Sequence, residues 1–143
     1  MKLKLAFTLL IVCLTLSFVS CKKDPPIKYP VEGLWIGTYT VDRYPDQQPL
    51  FYSFSVKPGG TLLTESKGSD GISYYSEGTW TLTGDKFSFN ITTINVEPLP
   101  IKQSGILTFD DSGKMTDGTW QDTDNPYIKP GNTGKFSIMN RVN

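Results

Sequence analysis

The sequence predicts an all-β domain of eight antiparallel strands closed into an up-and-down barrel, and three observations lead there. Beyond residue 30 nothing reads as helical over as many as ten residues, because Gly, Pro, Asn, Asp and Ser recur every few positions. Between them lie runs rich in Thr, Tyr, Phe, Val and Ile that alternate apolar with polar residues, the pattern of a strand wet on one face. The connections also alternate, a long loop and then a tight turn, as the two ends of a meander require. Closing eight such strands on themselves removes the exposed edges that invite aggregation. An open two-sheet β-sandwich with the same hairpins is the alternative arrangement.

In chain order, Met1-Lys2-Leu3-Lys4 leads into an apolar run to about Val19 and then Ser20-Cys21, the charged, apolar, small-residue order of an export signal. The apolar part is shorter than the roughly 20 residues a spanning helix needs. FVSC at 18–21 resembles the lipobox of bacterial lipoproteins, with Phe18 where leucine is usual. That resemblance implies a lipoprotein signal peptide over 1–20 and Cys21 as the acylated first residue of the mature chain. It also implies a cell-envelope location, lipid-anchored through palmitate-type chains to a bacterial membrane, with the outer membrane favoured over the inner. CKKDPPIKYP at 21–30 carries charge and three prolines, each of which fixes φ and removes a backbone donor, so 21–32 is expected to be a flexible tether.

The barrel domain is expected to span 33–143, with strands at about 33–42, 50–57, 61–67, 73–83, 86–94, 102–110, 114–122 and 134–142. Trp35, Gly37, Tyr39 and Val41 share one face of the first, Tyr52, Phe54 and Val56 one face of the second, and Phe87, Phe89 and Ile91 one face of the fifth. In the last, the alternation turns Phe136 and Ile138 inward. KPGG at 57–60, TGD at 83–85 and DDSG at 110–113 are tight-turn sequences. The long connections at 42–49, 66–71, 94–100 and 122–133 then gather at the opposite pole, which makes that pole the mouth and the tight-turn end a closed base.

GLWIGTY at 33–39 opens the first strand with Gly-x-Trp, and Gly78-Thr79-Trp80 and Gly118-Thr119-Trp120 repeat the pattern in the fourth and seventh. Over about 33–142 the chain resembles the lipocalin and calycin group, and the repeated triplet is also similar to avidin-like barrels. The Thr-Asp-Tyr type signature, the C-terminal helix and a disulfide of true lipocalins have no counterpart, so the resemblance is to a small lipocalin-like lipoprotein domain. It implies that Trp35 packs at the closed base against Arg141, a barrel-closing pair. Plain core packing is the other reading of the three tryptophans.

Composition narrows the chemistry. From Cys21 onward the chain has no histidine, no further cysteine, and 12 Lys and Arg against 14 Asp and Glu. A net charge of −2 gives no basic stripe for nucleic acid. Without His or a second Cys, the usual base for a Ser or Cys nucleophile and the usual zinc ligands are absent, and no cofactor or metal is expected. Asp122-Thr123-Asp124-Asn125 begins like a calcium loop, but Pro126 and Tyr127 stand where further ligands and the glycine belong. PGNTGK at 130–135 precedes a strand and lacks the upstream glycine of a phosphate loop. The acids of the loop end, Asp42, Asp46, Glu97, Asp122 and Asp124, are the remaining candidates for paired-carboxylate chemistry.

The expected function is therefore non-catalytic: a monomeric, membrane-anchored barrel that binds a small apolar or amphipathic ligand. The inward aromatics Trp35, Tyr39, Tyr52, Phe54, Tyr74, Trp80, Phe87, Phe89 and Trp120 would line the site, with Tyr44 and Tyr127 as loop contacts. The alternative is a filled barrel that meets a protein or glycan through its long loops.

Overall fold

The computed structural model describes residues 29–142. Cys21, the signal peptide and residues 21–28 of the expected tether lie outside the described residues. Nine strands follow in order: β1 (Gly33–Val41), β2 (Leu50–Val56), β3 (Thr61–Lys67), β4 (Ser73–Thr83), β5 (Lys86–Thr93), β6 (Lys102–Asp110), β7 (Lys114–Asp124), β8 (Thr133–Phe136) and β9 (Met139–Val142). Each of β1 to β7 pairs antiparallel with the next, and β1 also pairs with β8 and β9 on its other edge. The sheet is thus a closed barrel and not an open sandwich.

The nine strands fill eight positions. β8 and β9 both run between β7 and β1, β8 against Tyr39–Val41 and β9 against Leu34–Ile36. Ser137 and Ile138 interrupt them. The Ser137 amide donates to the Thr38 carbonyl, and Ser137 Oγ accepts from the Thr38 amide at 2.9 Å, so the side chain replaces a ladder acceptor at the break. The extra residue reverses the alternation: Phe136 is buried, Ile138 is 51% exposed, and Met139 is buried again. The expected inward Ile138 is therefore corrected. A bulge shifts every later side chain to the opposite face, which is how Arg141 comes to face the same way as Met139. Gly37 sits under this break, where a Cβ would lie 2.5 Å from Met139 Sδ and 2.9 Å from the Ile138 carbonyl. Gly37→Ala is expected to lose about 2 kcal/mol of stability, read as a lower urea midpoint at unchanged slope.

All the tight turns lie at one end. There the lower half of the barrel is solid: Trp35, Phe54, Leu62, Phe87, Leu107, Met115 and Met139 are fully buried. The base is sealed by the chain entering β1. Tyr29 donates its amide to the Asp111 carbonyl at 2.8 Å, Val31 is buried, and Trp35 Nε1 donates to the Val31 carbonyl at 2.8 Å. The tether boundary expected after residue 32 accordingly moves back, since Tyr29–Glu32 belong to the barrel base.

Trp35 and Arg141 are Cα partners across β1 and β9. Trp35 packs edge-on against Phe109 at 5.9 Å, and the Arg141 guanidinium lies over the Tyr29 ring, 5.1 Å from its centroid, while donating to the Glu32 carbonyl at 3.3 Å. Gly33, with φ at 140°, leaves room for that guanidinium, because a Cβ there would come within 3.0 Å of Arg141 Nε. Arg141→Ala should cost about 1–2 kcal/mol through loss of this clamp, measurable by denaturant unfolding.

Candidate functional site: a cavity under the long loops

Above the solid half, the barrel opens into a cavity of about 190 Å³. Its floor and walls are the rings of Tyr39, Tyr52, Phe89, Trp120 and Phe136, and Val41, Val96 and Ile101 add apolar surface nearer the loops. Ser66, Tyr74, Ser76, Thr93, Gln103 and Asn132 supply the polar groups. Each strand delivers its residues by simple alternation. Tyr39 and Val41 follow Trp35 on the inward face of β1, Tyr52 precedes Phe54 on β2, and Thr93 follows Phe89 and Ile91 on β5.

Trp120 reaches the cavity because of its neighbour. It is the Cα partner of Gly134, and its indole donates Nε1–H to the Thr40 carbonyl at 3.1 Å, on the far side of β8. A Cβ on Gly134 would strike the Thr40 carbonyl and stand 2.6 Å from Trp120 Nε1. The missing side chain is what lets the ring lie across the strand.

The polar groups are mostly committed. The Tyr39 hydroxyl donates to the Lys67 carbonyl at 3.1 Å, Tyr74 donates to Asp70 Oδ2 at 3.2 Å, and Ser76 and Thr93 share a buried hydrogen bond of 3.2 Å. Gln103 Nε2 donates to Asp122 Oδ1 at 2.9 Å, while Asp122 Oδ2 accepts from Asn125 Nδ2 and from the Asn132 amide. Asp122 thereby ties both ends of loop 125–132 to β6. The calcium-like start at 122–125 is used as an internal bracket. Among the described residues, no group of three His, Cys, Asp or Glu side chains stands close enough to hold a metal ion.

Burial holds two phenols protonated. Tyr39 is pushed up to about 12 by desolvation first, then by Tyr74 and Asp70. Tyr52, fully enclosed, is pushed higher still by desolvation, against a hydrogen bond with Thr64 that lowers it. Tyr74, near the rim, is raised by desolvation and by Asp70. A phenol with a raised folded-state pKa is neutral in both states below about pH 10, so its contribution to stability is intact there. That contribution is lost as pH climbs from about 10 through the folded value of about 12. Urea midpoints should therefore hold steady to about pH 10 and then fall, and Tyr52→Phe should flatten the fall; a midpoint indifferent to pH in that window contradicts the assignment.

Of the nine aromatics expected to line a site, Tyr39, Tyr52, Tyr74, Phe89 and Trp120 line this cavity. Trp35, Phe54 and Phe87 do not: they are fully buried in the filled half. Trp80 does not either, since it is half-buried towards the base, stacked on Phe87 at 5.9 Å with its Nε1 donating to the Lys57 carbonyl at 2.9 Å. Tyr127 pins a neighbouring loop, its hydroxyl accepting from the Leu99 amide at 3.0 Å and donating to the Leu99 carbonyl at 2.9 Å. Tyr44 is exposed beside Gln47 and Ser69. Sequence reasoning passed over Ser76, Thr93 and Gln103, which stand in phase with inward aromatics and were legible had polar residues been allowed on the inner face. Asn132 lies in a loop and carries no periodic signal.

No protein-family model matches this chain, and none of the curated proteins does. Two solved structures are similar to it. One is a redesigned β-barrel, mFAP1, bound to DFHBI, at 24% identity and a TM-score of 0.52, covering 78% of this chain and 94% of that one. The other is a redesigned β-barrel, b11L5F_LGL, at 23% identity and a TM-score of 0.53, covering 79% and 92%. This chain shares their fold.

Proposed function

We propose that the protein is a lipid-anchored binding protein of the bacterial cell envelope, whose barrel holds one small, mostly apolar ligand without transforming it. The observation that carries this reading is the division of the barrel into a solid base and a lined cavity under the loops. A cavity walled by six aromatic rings offers dispersion and burial to a small molecule, with a few polar groups to orient it. Its ionisable lining residues among those described are the three tyrosines, all with raised pKa, which supply no base near neutrality. The similar barrel bound to DFHBI is a designed protein, and it supports the fold's capacity to carry a small-molecule site.

The anchor rests on FVSC and Cys21. Two features of the fold agree with a base-side attachment. The chain enters at the base, and Leu34, Leu63 and Val142 lie exposed in neighbouring register on the outer wall beside it. Multiple acyl chains, at about 0.8 kcal/mol per buried CH₂, hold a protein to a membrane where one does not. Cys21→Ala should release the protein to the soluble fraction and abolish palmitate labelling. For the cavity, the test is mass spectrometry of whatever co-purifies with the untagged protein, followed by displacement of an apolar dye. A protein that carries nothing and takes up no dye is not a ligand carrier.

A second reading, contact with a protein or glycan at the mouth, is favoured by five exposed apolar residues on the long loops: Tyr44, Ile72, Ile94, Leu99 and Tyr127. Ile94→Ser with Leu99→Ser should weaken such a contact and leave dye uptake unchanged.

A further inference from the structure

We propose that the cavity selects a small neutral aromatic molecule bearing an N–H or O–H donor, which it recognises through Asn132 Oδ1. This rests on the reading of the cavity as a ligand site and adds the ligand's chemistry.

Size sets the first limit. An apolar cavity of about 150 Å³ takes benzene, so about 190 Å³ takes a single ring with substituents or a compact fused pair. Long acyl chains and steroid-sized molecules exceed it. The lining sets the second limit, because no Asp, Glu, Lys or Arg is part of it. An ionised ligand would give up its hydration for no opposite charge, at a large cost. The third limit comes from the hydrogen bonds. The Tyr39, Tyr74 and Trp120 donors are spent on the protein, and one of the Ser76 and Thr93 hydroxyls donates to the other. Asn132 differs: its Oδ1 is buried and has no hydrogen-bond partner among the described residues. A buried acceptor left unpaired is costly, and a ligand that brings a donor removes that cost while an isostere without one does not. The aromatic rings of the cavity wall, Trp120 and Phe136 among them, then hold the ligand's faces.

Indole and indene have nearly the same shape and differ in the N–H. Isothermal titration of each into the full-length protein, with phenol and toluene as a single-ring pair, should show indole and phenol binding roughly fivefold more tightly than their partners. In Asn132→Leu, whose backbone bonds with Asp122 remain available, the ratio should fall to one or below. Indene binding as tightly as indole to the wild-type protein, or a preference that survives in Asn132→Leu, overturns the donor assignment and leaves the cavity reading standing. Failure of all four to bind overturns both. If Asn132→Leu does not fold, the wild-type ratio alone decides.

Discussion

Phe54→Ala is expected to lower stability by about 3–5 kcal/mol, among the largest effects available to a single substitution in this chain. Phe54 is fully buried at the junction of the solid base and the cavity floor. Its ring meets Tyr52 at 5.0 Å, Phe89 at 5.3 Å, Phe136 at 5.4 Å and Phe87 at 5.8 Å. Removing it forfeits the transfer of a large apolar side chain and leaves a void that four rings on three strands cannot close together. The penalty is a substantial share of the roughly 5–15 kcal/mol typical of a folded domain. Urea unfolding should show a midpoint lowered by about a fifth or more, and a loss below about 1 kcal/mol would mean that the rings collapse into the gap. Because the void would open downward from the cavity, Phe54→Ala should also admit larger apolar dyes than the wild-type protein does, if it remains folded.

Strand positions and the polarity of the barrel's two ends were legible because alternation and turn chemistry are local. Phe87, Phe89 and Ile91 declare their face within five residues, and KPGG at 57–60 declares a reversal within four. What escaped was set by contacts distant in sequence. The break at Ser137 and Ile138 depends on Thr38 across the barrel, and nothing in SIMNRV shows where the alternation reverses. Height along the barrel axis escaped for the same reason. Tyr52 and Phe54 read alike in a strand pattern, yet the first lines the cavity and the second fills the base, a difference fixed by the shear of the closed sheet. The Gly-x-Trp triplets were visible, and the structure supplies their reason. In Gly118-Thr119-Trp120 the glycine is two positions before the tryptophan on the inner face, and a Cβ there would lie 2.7 Å from Phe136 Cβ.

Gly134→Ala should be nearly as damaging as the loss of Phe54, at about 3 kcal/mol, although it adds only a methyl group. Gly134 lies buried between its partners Trp120 on β7 and Val41 on β1. The new Cβ would meet the Thr40 carbonyl and the indole together, with Trp120 Cε2 at 2.8 Å. A flexible side chain could yield, but the carbonyl belongs to the β1 backbone and is paired in the sheet. Either β8 separates from β1, which breaks the barrel's seam, or the indole swings away from Thr40 and into the cavity. The two responses can be told apart. Trp120→Phe removes the indole overlap and leaves the carbonyl, so the double variant Trp120→Phe, Gly134→Ala should recover little stability if the seam is the main obstacle and most of it if the ring is. The carbonyl is the nearer and the stiffer of the two, so little recovery is expected, together with faster amide exchange at Lys135 and Thr40. A Gly134→Ala variant within about 0.5 kcal/mol of wild type would show that β8 slides freely, and the cavity wall at Trp120 would then owe its position to something other than this glycine.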